Sequence, residues 1–240
     1  MGNLLKALEL YIFPKHCLVC GVNENYICNF CEGEIRNVLT YHCVICGKPC
    51  LNGFIHINCA NKYTPDRFLA AFEYKGVVKR ALINAKYKRK IFDVYNLLVD
   101  LACEYFKGIN LEIGDKAVMV PVPVSYKKYK KRTFDHSLII SELFAKKYNV
   151  KVVPVLIKHK DTVSQSLLSR EEREKNVKGV FKVNPGLISQ IKGKDVVVID
   201  DIVTTGATML SACGELRKLG KNGPRYIYCV SLAYDVLRTV

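Results

Sequence analysis

The run from Val196 to Met209 constrains this chain more than any other stretch. Val196-Val197-Val198-Ile199 is a continuous β-branched segment, the pattern of a strand buried on both faces of a parallel sheet. Asp200 and Asp201 follow at its C-terminal end, and then a small, hydroxyl-rich turn, Thr204-Thr205-Gly206-Ala207-Thr208. A helix is expected from Ala207 to Leu219, with Gly220 as its stop. Strand, tight loop and helix N-terminus in this order can hold a phosphate. Free N–H groups and the positive helix end face the anion, and the threonine hydroxyls add donors.

A bare phosphate would not want two carboxylates beside it. Asp200 and Asp201 make sense if the ligand also carries sugar hydroxyls or a bound cation. An acidic pair alone would be no more than a solvated strand end opening a turn, with Thr205 or Thr208 as the helix N-cap. The whole run resembles the phosphoribosyl-pyrophosphate (PRPP) motif of type I phosphoribosyltransferases: four apolar residues, two acidic, two apolar, then a Thr/Gly/Ser loop. The resemblance implies that Asp200 and Asp201 bind the ribose 2′- and 3′-hydroxyls. It implies that Thr204, Thr205, Gly206, Ala207 and Thr208 cradle the 5′-phosphate, and that Mg²⁺ sits on the pyrophosphate and ribose oxygens. Gly206 fits physically, because a side chain there would block the backbone's approach to the phosphate.

The chain has 240 residues, half of them hydrophobic, enough for one large domain or a domain with a small appendage. No apolar run reaches the roughly 18 residues of a membrane span. Lys6 and Glu9 interrupt Met1 to Phe13, so this stretch does not read as a signal peptide, and the expected compartment is the cytoplasm. The net charge is +15 and unevenly placed, with +1 on residues 1–62 and +14 on residues 63–240. A field so concentrated favours polyanions: nucleic acid, nucleotides or an anionic membrane face.

Eleven cysteines in a reducing compartment, paired at short spacing, point to metal rather than disulfides. The pairs are Cys17/Cys20, Cys28/Cys31 and Cys43/Cys46, with His56/Cys59 as a fourth at the same spacing. Tetrahedral Zn²⁺ takes four thiolate or imidazole ligands, and a CxxC turn places two sulfurs on one metal. Gly21 and Gly47 follow two of the pairs, as tight knuckles require. Two structural zinc ions are expected. Sequential pairing, 17/20 with 28/31 and 43/46 with 56/59, is the preferred arrangement. Crossed pairing stays open, and Cys50 and His42 compete for the second site. Cys103, Cys213 and Cys229 fall in helix or strand patterns and read as core.

In chain order, Leu4, Leu5, Leu8, Tyr11 and Ile12 fall at helical spacing and Pro14 stops that helix. The cysteine-rich part closes near residue 62, and Tyr63-Thr64-Pro65-Asp66 reads as a linker. A second domain over 63–240 opens with a strand from Arg67 to Tyr74. One or two helices follow over Val77 to Leu98, bearing Lys79, Arg80, Lys86, Lys88, Arg89 and Lys90, and Asp100 to Phe106 extends the helical run to Gly108. Ala117 to Val124 is a buried strand stiffened by Pro121 and Pro123. Leu138 to Tyr148 is a helix, Val150 to Ile157 a strand interrupted at Pro154, Val180 to Val183 short and extended, and Tyr226 to Ala233 a strand that closes the sheet. Alternating strands and helices indicate an α/β domain with a mostly parallel sheet. Just past the strand ending at Val124 stands a basic, aromatic segment: Tyr126, Lys127, Lys128, Tyr129, Lys130, Lys131 and Arg132. It is either a solvated loop or a polyanion contact, with cations on phosphates and rings on bases.

The full order is cysteine knuckles, a Pro-Val-Pro strand end with its basic loop, Arg132-Thr133-Phe134-Asp135-His136-Ser137, then Gln165-Ser166 with Arg170, Arg173 and Asn176, and finally the PRPP loop. This resembles the ComF/ComFC family of competence proteins over nearly the whole chain. The resemblance implies a zinc finger joined to a phosphoribosyltransferase-like domain. It also implies a role in natural transformation, handling single-stranded DNA during uptake with a ComFA-like helicase at the inner face of the membrane. Two motifs depart from pattern. The family's Arg-Gly-Phe-Asn-Gln is here Arg132-Thr133-Phe134-Asp135-His136, where His136 could be a general base or a helix-start histidine. Purine-salvage enzymes also place a further Asp where this chain has Thr204, and a hydroxyl cannot do the same proton work near neutral pH. A free-standing phosphoribosyltransferase acting on a nucleobase or other acceptor is the competing function.

Overall fold

Continuous β-branched and apolar runs, rather than alternating ones, build most of the central sheet, and those strands are covered on both faces. The computed structural model of the protein describes residues 15–23, 25–86, 91–109, 111, 113–124, 134–159 and 179–235. The expected opening helix, the basic segment 126–132 and the polar stretch 165–176 lie outside the described residues.

Seven strands are present among the described residues: β1 Arg67–Glu73, β2 Val118–Pro121, β3 Lys151–Val152, β4 Leu156–Lys158, β5 Phe181–Val183, β6 Val196–Val203 and β7 Ile227–Tyr234. Five form one sheet in the order β1-β7-β6-β2-β3, and every neighbouring pair in it is parallel. The helices are α1 Asn29–Gly33, α2 Gly76–Ala85, α3 Ile91–Gly108, α4 His136–Tyr148 and α5 Ala207–Arg217. α4 links β2 to β3 and packs on β2 and β6, while α5 links β6 to β7. The result is an α/β fold with helices flanking a parallel sheet.

Three expectations change in detail. Tyr226 to Ala233 was expected to close the sheet, but β7 lies inside it, between β1 and β6. The single strand expected over Val150 to Ile157 is two strands in two sheets. β3 extends the main sheet and β4 pairs antiparallel with β5, because Pro154 supplies no N–H and the ladder breaks there. The helix after the Thr-rich loop ends at Arg217, short of Leu219, and Gly220 follows with φ +53°.

The cysteine-rich part shares one apolar core with the sheet. Ile27, Val38, Tyr41 and Val44 belong to the same cluster as Phe68, Phe72 and Leu98. Residues 63–66 join the two parts without slack: Asp66 N donates to Ile227 O at 2.8 Å, and Asp66 Oδ2 accepts from Ile227 N at 2.7 Å. Tyr105 Oη donates to Val38 O, and Tyr41 Oη lies 3.0 Å from it. The small module is therefore bonded to the edge of the sheet and to α3.

Candidate functional site

β6 runs through the middle of the sheet, so its last residues open at the C-terminal edge, where parallel α/β sheets bind ligands. Val196 to Ile199 are buried, while Asp200 and Asp201 are partly exposed. Asp200 Oδ1 accepts from Ser137 Oγ at 3.0 Å and from Asp201 N at 2.9 Å. Asp201 Oδ2 lies 2.6 Å from Lys86 Nζ, in a pair whose side chains are only 13% and 15% exposed. Burial first, and then the Asp201 charge, push the Asp200 carboxyl up to about 7 against the opposing pull of Ser137 and Lys86. Such a carboxyl gives up its proton readily when a cation or hydroxyl donors arrive.

Asp135 ties this site to α4. It is the helix N-cap, accepting from Leu138 N at 3.1 Å, and its second oxygen accepts from Val124 N at 3.2 Å. Burial raises its carboxyl above the usual range, against the N–H groups that favour the anion. His136 takes the helix-start position. It is 1% exposed, 3.1 Å from Tyr95 Oη and edge-on to Phe134. It is a core histidine.

The loop after β6 ends at Gly206, which caps α5 with φ +75°. Thr205, Gly206 and Ala207 are buried, while Thr204 and Thr208 are partly exposed. A Cβ at Gly206 would stand 2.0 Å from Val44 Cγ2. The glycine is therefore required twice, by its left-handed backbone and by the knuckle packed against it. Sequence reasoning foresaw a clash with a phosphate and missed the one with Val44, because nothing local to Gly206 announces a neighbour so far away in the chain. It also missed Ser137, and it read Lys86 as one of a basic set rather than as the partner of Asp201.

The cysteines form two clusters. Cys17, Cys20, Cys28 and Cys31 bring their ligand atoms within 4.8 Å of one another, and Cys43, Cys46, His56 and Cys59 do the same. Cys50 and His42 stand outside both. Backbone N–H groups of Val19, Cys20 and Cys28 donate to the Cys17 sulfur, and those of Ile45, Cys46 and His56 to the Cys43 sulfur, an arrangement that favours thiolates. His56 Nδ1 lies 3.3 Å from the Cys46 sulfur, and Nε2 is 3.0 Å from Pro49 O. A carbonyl on Nε2 fixes the tautomer that turns the Nδ1 lone pair toward the cluster. Both sets have the donor chemistry and closeness of a tetrahedral zinc centre and could hold the ion.

The sequence matches a family model of the phosphoribosyl transferase domain over residues 139–235. No curated protein matches it. Among solved structures it is similar to the allosteric regulatory enzyme of purine biosynthesis, at 21% identity and a TM-score of 0.37 over 61% of this chain and 28% of that one. It is also similar to the glutamine PRPP amidotransferase from B. subtilis complexed with ADP and GMP, at 19% identity and a TM-score of 0.31 over 60% and 28%. A third is adenine phosphoribosyltransferase from Leishmania donovani, at 14% identity and 0.32 over 64% and 68%. The chain thus spans 28% of the length of the first two. Such low TM-scores leave the assignment to the domain match and to the sheet. That match takes in α4 from Ile139 onward, β6, the loop after it and β7, and the domain carrying the acidic pair has a phosphoribosyltransferase-like fold.

Proposed function

We propose that the chain binds a 5′-phosphoribosyl compound, PRPP with Mg²⁺ foremost, at Asp200, Asp201 and the loop Thr204 to Thr208. One observation carries this reading. The acidic pair at the end of a central parallel strand runs directly into a glycine-capped helix, inside the stretch that matches the phosphoribosyl transferase domain. In this reading Asp200 and Asp201 take the ribose hydroxyls and the loop, with the helix N-terminus behind it, takes the 5′-phosphate. Mg²⁺ supplies charge neutralisation at the pyrophosphate. Ser137 orients Asp200, and Lys86 holds the Asp201 charge until ligand arrives.

Calorimetry with PRPP and Mg²⁺ tests the reading. Wild type should bind, and the double variant Asp200→Ala/Asp201→Ala should not. Equal binding by both sinks it. Pyrophosphate release with an added acceptor marks a transferase, and binding without release marks a sensor or scaffold.

A second reading is a ComF-like role in natural transformation, with single-stranded DNA on Tyr126, Lys127, Lys128, Tyr129, Lys130, Lys131 and Arg132, and a ComFA-like helicase as partner. The +14 carried by residues 63–240 favours it. In this reading the protein works in the cytoplasm, at the inner face of the membrane through its partners. Among the described residues no helix is long and apolar enough to cross a membrane. In both readings two structural Zn²⁺ ions sit in the cysteine clusters, and metal analysis finding none would remove them.

A further inference from the structure

The β1 edge of the sheet is covered in part by the cysteine-rich module. Outside β1 the chain makes an isolated antiparallel bridge, Asn37 opposite Phe72. Its two bonds come from the flanking residues: Val38 N donates to Ala71 O at 3.0 Å, and Glu73 N donates to Arg36 O at 2.9 Å. Asn37 and Phe72 are thus a non-hydrogen-bonded pair, and the N–H and C=O of Asn37 point away from β1. Neither has a partner among the described residues. A cleft of about 530 Å³ opens at this bridge. Asn37, Phe72 and Ile35 line it together with Glu32 of α1 and Leu101 and Glu104 of α3.

The two carboxylates stand out in a chain of net charge +15. Acids close to them in sequence are paired, Glu34 with Arg36 at 3.6 Å and Asp100 with Lys147 at 2.7 Å. The Glu32 and Glu104 side chains make no ion pair or hydrogen bond among the described residues. Two like charges on one cleft repel, and a cation brought by a partner relieves that repulsion. The apolar walls suit the methylene stem of a Lys or Arg whose charged head reaches the carboxylates. Leu39, two residues beyond Asn37, is 88% exposed and offers an apolar contact alongside.

We infer that this cleft docks an extended, basic peptide of a partner protein, which bonds to the outward N–H and C=O of Asn37 and sets a cationic side chain against Glu32 and Glu104. Main-chain bonds to a free edge supply affinity, and the carboxylates select the side chain. The peptide's next residue on the same face meets Leu39, so a basic residue alternating with an apolar one is the favoured pattern. None of these residues belongs to the phosphoribosyl site or to the basic segment, so the inference stands or falls apart from both readings above.

Fluorescence anisotropy with the zinc-loaded full chain and a labelled heptapeptide alternating arginine and leucine tests the inference. Wild type should bind. Glu32→Gln with Glu104→Gln should weaken binding about ten-fold and melt with wild type, since neither carboxylate has a partner to lose. Glu32→Lys with Glu104→Lys should turn the preference to a heptapeptide alternating glutamate and leucine. Methylating alternate amides of the arginine peptide should abolish binding by wild type, because such a strand cannot pair with Asn37. No binding by wild type overturns the inference, and so does equal binding by the Gln variant. It is also overturned if the methylated peptide binds as well as the parent, which would leave no role for the strand edge. Spermidine displacing the peptide at equal charge concentration would make the cleft a polyamine site instead. Self-association of wild type that the Gln variant loses would make a second copy of the chain the occupant.

Discussion

The first knuckle, His16 to Asn23, and the second, His42 to Pro49, are built alike. In each, the residues just before and after the turn form a bridge, the glycine has positive φ, and its N–H donates to the carbonyl of the first cysteine. Their surroundings differ. In the first cluster three of four ligands are buried, and the turn faces helices: Asn84 Nδ2 donates to Leu18 O at 2.5 Å, and Lys15 pairs with Asp93 at 3.0 Å. In the second only Cys43 is fully buried, and Val44 presses on Gly206. Ligand spacing sets the turn, while the residues between the cysteines and the fold around them decide what the turn supports. One cluster secures the module to the helices, and the other forms a wall of the candidate phosphate loop.

That contrast breaks first at the metal ligands, where the largest effects are expected. Cys28→Ser should remove metal from the first cluster and cost on the order of 5 kcal/mol or more of folding stability, read by chemical denaturation. Cys46→Ser, at an exposed ligand, should cost less stability but weaken PRPP binding on the order of ten-fold by freeing Val44. Identical stability and binding losses in the two variants would erase the distinction.

The Val44–Gly206 contact sharpens it. Gly206→Ala should cost about 2–4 kcal/mol, part backbone strain and part the collision with Val44. In a Val44→Ala background, where Cγ2 is gone, the same change should cost about 1 kcal/mol, the strain alone. A double-mutant cycle with no coupling would mean the knuckle does not press on the loop.

Lys86→Met should cost about 2 kcal/mol by leaving Asp201 beside a second carboxylate without its ammonium, and Mg²⁺ should recover part of that loss. Thermal melting with and without the ion reads both.

The last effect is in pH. Asp200 has its folded-state carboxyl raised to about 7, above its unfolded value near 4, so the folded protein holds that proton more tightly. Its stabilising contribution is full below about pH 4 and is lost as pH rises toward 7. Melting temperature compared between wild type and Asp200→Asn should diverge across that window, with wild type losing ground as pH rises. Parallel curves would mean the carboxyl is not perturbed.

Much of the fold was legible where the signal is local. The β-branched run of β6, the carboxylates at its end, the glycine after it and the spacing of the cysteines are each written within a few residues of one another. The sequence was silent where partners come from far along the chain. Lys86 reaching Asp201, Ser137 reaching Asp200 and Val44 reaching Gly206 follow from how strands are ordered, which periodicity does not encode. The place of β7 was missed for the same reason. A buried strand reads alike in the middle of a sheet and at its edge, since helices cover it in both.

The position of β7 also governs how the chain can be made. β1 and β6 are separated in the sheet by a strand that follows both in the sequence. During synthesis β1 emerges early, yet its sheet partner is the last strand of the described chain, so a long loop must close before the two meet. Until residues 227–234 leave the ribosome, β1 and β6 each show an unpaired, apolar edge open to other nascent chains. A chain broken off before Ile227 would keep its knuckles and the Thr-rich loop after β6 but could not complete the sheet between them, and aggregation is the expected fate.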